Sequence, residues 1–355
     1  MKRGAVLIII AIACMHILCS DMQAQSRISR TYGVVTGSLD NHVKGAVLEK
    51  VLLYPKKNQY SSDTIERNAL LLRYKNAIGT ILVCHGFMCD KFDVGFLRDL
   101  FPRGEYNVMT FDFRAHGQKR HGQYCTFGKN EAYDVIAASQ FIKNHSELKD
   151  KPLVVYGFSM GAVAAIEAQA KATERADGTD GSLFAGMILD CPFDSAENVI
   201  KQALDNTKFS LFGYEFNIPG RGLLQKYAFH PYIQTLVKAA LKAVANLDTK
   251  DISVSMRPVH TAQSAKKINI PCFFIHCKND KKVPVAAVKN VFNSTTGYKK
   301  LWITNGRYHF DSFFYNPERY TKKVRSFLAY IMNKRAKQKQ NKIVQDDQDP
   351  LSLGT

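Results

Sequence analysis

The sequence predicts an α/β fold: a mostly parallel central sheet flanked by helices, with a helical insertion late in the chain. Three observations carry this. Short continuous apolar runs such as Thr80–Cys84 mark strands buried on both faces. Helical stretches of roughly 10–15 residues alternate with them, the rhythm of parallel crossover units. A glycine-flanked serine, Gly157-Phe158-Ser159-Met160-Gly161, stands where one such strand gives way to a helix.

The elements follow in order. Residues 1–24 read as a signal peptide. Lys2 and Arg3 precede the apolar run Ala5–Ala13, and Ala24 is a small residue at the cleavage position. The chain is therefore expected to be exported, periplasmic or extracellular. Lipidation at Cys14 or Cys19 is the alternative, giving an anchored form. Residues 25–68 form an N-terminal segment with an edge strand, Ala46–Tyr54, and Ser26–Arg30 read as a frayed tail. Ala69–Tyr74 is a second strand, and the pair suits an antiparallel edge. Thr80–Cys84 and Tyr106–Phe113 are buried strands, and Glu131–Lys143 is a helix. Leu153–Tyr156 is a strand, Met160–Lys171 a helix and Met187–Leu189 a strand. Ile270–His276 is a strand, Pro284–Phe292 a helix, Lys300–Ile303 a strand and Pro317–Met332 the last helix. Between them, about 205–258 lacks a buried strand but is aromatic and helix-prone. It reads as an insertion within one domain spanning 69–333. Residues 334–355 form a basic and then polar tail, frayed from Val344 onward.

Composition narrows the function classes. In 355 residues, 46% hydrophobic and 23% charged content excludes wholesale disorder and collagen-like or coiled-coil architectures. The formal charge is +18, but the bases are scattered, with one denser run at Lys334–Lys342. No zinc-finger spacing, basic region with heptads or aromatic RNA-binding box accompanies them, so no nucleic-acid partner is expected. Membrane contact is expected only through a lipid anchor or the basic tail, and the oligomeric state is left open. After leader removal, Cys84, Cys89, Cys125, Cys191, Cys272 and Cys277 remain. An oxidising compartment permits disulfides, and the loop cysteines Cys89 and Cys125 are free to pair, with connectivity left open.

The chemistry concentrates at Ser159. A nucleophilic hydroxyl must stand clear of the sheet on a tight turn, and flanking glycines supply no Cβ to obstruct it. A serine also needs a base, itself oriented by an acid. Asp280 follows the strand Ile270–His276, and His309 follows Lys300–Ile303, each at a strand's C-terminal end. Asp190, Asp194 and Asp311 are rival acids; His85, His116 and His276 are rival bases. The alternative for Asp280 is a helix N-cap ahead of Pro284. An oxyanion requires two backbone N–H donors, assigned to Met160, directly after the serine, and to Phe87, in the loop after Thr80–Cys84.

Taken together, His85-Gly86-Phe87, Asp112-Phe113-Arg114-Ala115-His116-Gly117, Gly157-Phe158-Ser159-Met160-Gly161 and the Asp280 and His309 loops resemble the α/β-hydrolase superfamily. The pattern is most similar to its serine esterase and serine aminopeptidase-like branch. That resemblance implies the α/β-hydrolase fold with a helical cap after the sixth strand. It implies a Ser159–His309–Asp280 triad, no metal or organic cofactor, and a small-molecule ester or acyl substrate. Peptidase or acyltransferase chemistry on the same triad is the alternative, as is a non-catalytic binding protein of the same fold. Ala115 departs from the family, which often has Gly there, and His85-Gly86-Phe87 replaces a Gly-rich lipase form. Asp112, Arg114 and His116 are expected to brace the loop after their strand.

Overall fold

The computed structural model describes residues 46–120, 122–176, 181–199 and 257–348, with 202, 208–211, 214–217, 227 and 255 between the last two. The expected leader, the segment 25–45, most of the 205–258 insertion and the last residues of the tail lie outside them.

An eight-stranded sheet organises the chain. Its strands are β1 (Ala46–Leu53), β2 (Arg67–Tyr74), β3 (Gly79–Cys84), β4 (Tyr106–Phe111), β5 (Leu153–Phe158), β6 (Gly186–Asp190), β9 (Cys272–Cys277) and β10 (Lys299–Thr304). Their order is β1-β2-β4-β3-β5-β6-β9-β10. β1 pairs antiparallel with β2, and β2 with β4; every other neighbour pair is parallel. The central strands β3, β4, β5, β6 and β9 are buried along their whole length, which explains why they read as unbroken apolar runs.

Both faces of the sheet are covered. Helices α1 (Glu131–Asn144), α2 (Met160–Arg175), α3 (Thr261–Ala265) and α4 (Val285–Ser294) share one core, with Leu82, Val155, Leu189 and Phe274 facing them. On the other face, a 3₁₀ turn (Gly95–Leu100) and the long helix α6 (Pro317–Gln348) pack on Ile81, Val154, Ile188 and Phe273. A one-turn helix, α5 (Ser312–Tyr315), leads into α6. The alternation of neighbours along each strand, for example Ile81 to one core and Leu82 to the other, is the period-two signature of a sheet.

Four features differ from the sequence reading. The last helix does not end at Met332 but runs through the basic stretch to Gln348. That stretch carries no apolar face, so helical periodicity gave no sign of it. Within the insertion, read as helical, two short strands pair antiparallel: β7 (Lys208–Leu211) and β8 (Tyr214–Asn217). The 3₁₀ turn, α3 and α5 are too short to show a period. The described cysteines are all free thiols, so Cys89 and Cys125 are not joined. Cys125 instead lies buried with its Sγ 3.5 Å from Met160 Sδ.

Candidate active site

The C-terminal ends of the parallel strands carry the site. Ser159 directly follows β5 and immediately precedes α2, at φ +51° and ψ −120°. This left-handed backbone is costly for an L-residue and is held by its surroundings. The Ser159 N–H donates to the Asp190 carbonyl at 2.8 Å, tying the turn to β6. A Cβ on Gly157 would overlap the backbone of Ala162, and one on Gly161 would overlap the carbonyls of Cys84 and His85. The glycines therefore let α2 start hard against both β5 and the loop leaving β3. That contact sets the start of α2, whose first residue is Met160, against the loop that carries Phe87. As a first-turn residue, Met160 has an N–H without an intrahelical acceptor.

His309 Nε2 lies 2.9 Å from Ser159 Oγ, and its Nδ1 lies 2.6 Å from Asp280 Oδ2. With the imidazole neutral, Nδ1–H donates to the carboxylate and Nε2 accepts the serine hydroxyl. The other carboxylate oxygen, Asp280 Oδ1, accepts the N–H groups of Lys282 at 2.8 Å and Val283 at 2.9 Å. Asp280 thus fixes its own loop rather than capping α4, whose N-cap is Pro284. Burial opposes its charge, but His309, through charge and hydrogen bond, then His276 and the Val283 N–H, hold the carboxyl below its ordinary value. His309 is held from behind by its neighbour: Phe310 stacks on Phe158 at 3.9 Å. The Phe158 ring in turn fills the space a side chain at Gly86 would take.

The rival residues have other partners. Asp190 Oδ2 accepts the Tyr320 hydroxyl at 2.6 Å, Tyr320 and Tyr156 hydroxyls meet at 2.6 Å, and Cys191 Sγ donates to Asp190 Oδ1 at 3.1 Å. Burial pushes the Asp190 carboxyl up to about 6, against the pull of Tyr320, Cys191 and His309. Asp194 accepts from Asn198 and Asn290, and Asp311 from Arg307. His85 Nε2 accepts the Phe113 N–H at 3.0 Å while Nδ1 meets the Gly86 carbonyl at 2.7 Å. His116 Nε2 accepts the Met88 N–H at 3.1 Å, and burial lowers its pKa to about 4. Both rings stay neutral and brace the loop that bears Phe87. His276 donates from Nε2 to the Val283 carbonyl at 3.0 Å, and its Nδ1 faces Asp280 Oδ2 at 4.0 Å.

The Asp112–Gly117 segment supports the same loop. Asp112 pairs with the buried Lys91 ammonium at 2.7 Å and accepts its N–H at 3.0 Å. Arg114 forks onto Asp134 and onto the carbonyls of Lys56 and Lys57. Ala115 sits at φ +60°, the conformation for which glycine is the usual residue. Cys191, Asp280 and His309 offer three donor atoms within 4.8 Å of one another, but Asp280 and His309 are already hydrogen-bonded to each other. Sequence reasoning missed Tyr156, Tyr320 and Cys191. Tyr320 lies 164 residues from Tyr156, and no spacing rule links an α6 hydroxyl to the end of β5.

Comparison with known proteins agrees with this architecture. The uncharacterized protein YqkD of Bacillus subtilis (strain 168) is 27% identical over 249 residues, covering 70% of each chain. An esterase of Pyrococcus furiosus superposes with a TM-score of 0.53 at 21% identity, over 80% of this chain and 93% of its own. The alpha/beta hydrolase GrgF from Penicillium sp. sh18 gives 0.54 at 15% identity, over 81% of this chain and 99% of its own. Residues 81–322, which hold the elbow at Ser159 and the loops of Asp280 and His309, match the model of the alpha/beta hydrolase family, and the chain belongs to that family.

Proposed function

We propose that the chain is an exported serine hydrolase that cleaves a carboxylic ester through an acyl-enzyme. The observation that carries this reading is the unbroken hydrogen-bonded line Asp280–His309–Ser159, ending on a strained turn at a helix N-terminus. Ser159 Oγ attacks the ester carbonyl as His309 Nε2 takes its proton. The carbonyl oxygen becomes an oxyanion facing the N–H groups of Phe87 and Met160. Collapse expels the alcohol, which receives the proton from His309. Water, deprotonated by the same Nε2, then attacks the acyl-enzyme and releases the acid and free Ser159. Asp280 stays ionised throughout, holds the ring in the productive tautomer and stabilises the imidazolium.

The ester preference rests on the likeness to the Pyrococcus furiosus esterase, and export rests on the Lys2–Ala24 pattern. Intact-mass labelling with a fluorophosphonate tests the chemistry. A single adduct is expected on the wild type and none on Ser159→Ala or His309→Ala. On substrate, each substitution should cost roughly four to six orders of magnitude in kcat. An adduct that persists in Ser159→Ala would place the nucleophile elsewhere. No adduct on folded wild-type protein would favour a binding protein of the same fold. A panel of esters, thioesters and peptides then separates esterase from peptidase or acyltransferase activity.

A further inference from the structure

The outer edge of the sheet carries a feature that hydrolysis at Ser159 does not use. β10 is the last strand, and Tyr298, Lys300 and Trp302 alternate onto the face that meets α6. Tyr298 stacks on Tyr330 of α6 with centroids 4.5 Å apart, and the Lys300 ammonium lies 5.7 Å from the Tyr298 ring. The Arg319 guanidinium and the Lys323 ammonium each lie 5.7 Å from Trp302. Beneath them is a cavity of about 250 Å³ lined by Phe273, Leu301, Trp302 and Phe327, with Lys300, Lys323 and Ser326 completing its wall.

The helix extends this groove. On a period of 3.6 residues, Arg319, Lys323, Tyr330, Lys334 and Lys337 fall on one stripe. At 1.5 Å per residue the stripe runs about 27 Å. All four of its bases are exposed. From Pro317 to Asn341 the only acidic residue is Glu318, which that period places well off the stripe. Lysines on an open strand edge serve to block edge-to-edge pairing. That role does not call for a cationic line continuing on a helix past the end of its packed part, with an apolar trough alongside.

We propose that this groove and stripe form a docking surface for an anionic phospholipid bilayer. The argument is charge complementarity joined to chemistry. A row of exposed bases about 27 Å long matches many headgroups in a plane rather than one small anion. The trough behind it is apolar, and amphipathic Trp and Tyr are the side chains that sit at a membrane–water boundary. Single-stranded nucleic acid is the other polyanion to weigh. It needs open ring faces for base stacking, and here the rings are stacked on each other or covered by cations. The proposal is independent of the hydrolase reading.

The chain contains one tryptophan, so its fluorescence reports on this groove alone. Full-length protein is titrated with phosphatidylglycerol-containing vesicles and with pure phosphatidylcholine vesicles, and binding is read by Trp302 emission and by co-sedimentation. A blue shift and binding are expected with the anionic vesicles only, and both should fade at about 0.5 M salt. The variant Lys323→Glu/Lys334→Glu/Lys337→Glu should bind about tenfold or more weakly. Lys75→Glu/Lys149→Glu/Lys266→Glu carries the same net charge on other exposed surfaces and should keep most of its binding. Because both triple variants share the natural N-terminus, their difference reads the stripe alone. Equal binding to both lipids, equal loss in the two variants, or an unmoved Trp302 spectrum would overturn the proposal. So would a single-stranded oligonucleotide that shifts Trp302 and displaces the vesicles.

Discussion

Ser159 is held in a backbone conformation that costs about 1–3 kcal/mol, and it does not stand alone. Met88, Phe127, Cys191 and Phe310 also have positive φ, and Met88, Cys191 and Phe310 lie in the loops that converge on His309 and Ser159. Three of these strained positions thus cluster around Ser159 and His309, where backbone must turn sharply to present side chains and N–H groups. Two buried carboxylates nearby show opposite behaviour. Asp280 is held below its ordinary value, so its stabilising contribution is present above the unfolded value and lost as pH falls through the folded one. Asp190 is raised from 3.8 to about 6, so its contribution is full at low pH and lost as pH rises through about 6. At 1.36 kcal/mol per unit, ionised Asp190 costs the fold roughly 3 kcal/mol at neutral pH. Asp190→Asn keeps an acceptor for Tyr320 without the charge. Urea unfolding should show the variant gaining on the wild type between about pH 4 and pH 7.5, by up to roughly 3 kcal/mol. Parallel stability curves for the two proteins would mean that Asp190 titrates normally in the fold.

At the scale of elements, the site depends on how closely α2 approaches the loop after β3. Gly161 permits that approach, since its missing Cβ is where the carbonyls of Cys84 and His85 lie. Gly161→Ala must therefore push the two apart, moving Met160 away from the loop that carries Phe87. A displacement near 1 Å is enough to cost about 100-fold. The fluorophosphonate labelling rate of Ser159 should fall by at least about that factor, while circular dichroism still reports a folded α/β protein. Labelling at the wild-type rate would show that the close approach is not needed. The Phe158–Phe310 stack and the Asp190–Tyr320 bond reach the site from the opposite face, through the residue beside His309 and the first turn of α6. The elbow is thus clamped between helices on both faces of the sheet.

The whole molecule divides α6 into two parts with different roles. Up to Ile331 it packs through Tyr320, Val324, Phe327, Leu328 and Ile331, all buried in the second core. Beyond that turn, Asn333, Lys334 and Ala336–Asn341 are exposed. Leu328→Ala should lose about 2–5 kcal/mol in chemical unfolding, because it opens a cavity in the core that α6 shares with the sheet. Lys337→Ala should stay within about 0.5 kcal/mol of wild type. If the lysine substitution proves as costly as the leucine one, the outer half of α6 has a packing partner. Net charge acts at this scale too. A chain at +18 attracts anionic surfaces over a Debye length, and the α6 stripe concentrates that field along one edge.

The sequence by itself determined the alternation of strand and helix, the sheet's parallel character and the family. Central strands such as Thr80–Cys84 are apolar throughout because both faces are covered, and that pattern survives in one dimension. Ser159 was legible as a candidate because a strand, two glycines and a helix adjoin it in the chain. Asp280 and His309 were legible only as the ends of later strands, among several rivals. Choosing between Asp280 and Asp190 as the partner of His309 took the fold. Asp190 ends β6 and Asp280 follows β9 by three residues, and only the hydroxyls of Tyr156 on β5 and Tyr320 on α6 show that Asp190 Oδ2 is already engaged. The outer part of α6 was illegible for a different reason. A helix that is polar on every side has no hydrophobic period, so its existence and its cationic stripe emerge only when the chain is wound in three dimensions. Local pattern records what a residue's neighbours in sequence require. Contacts between residues 29, 150 or 164 positions apart are made by the sheet that brings them together.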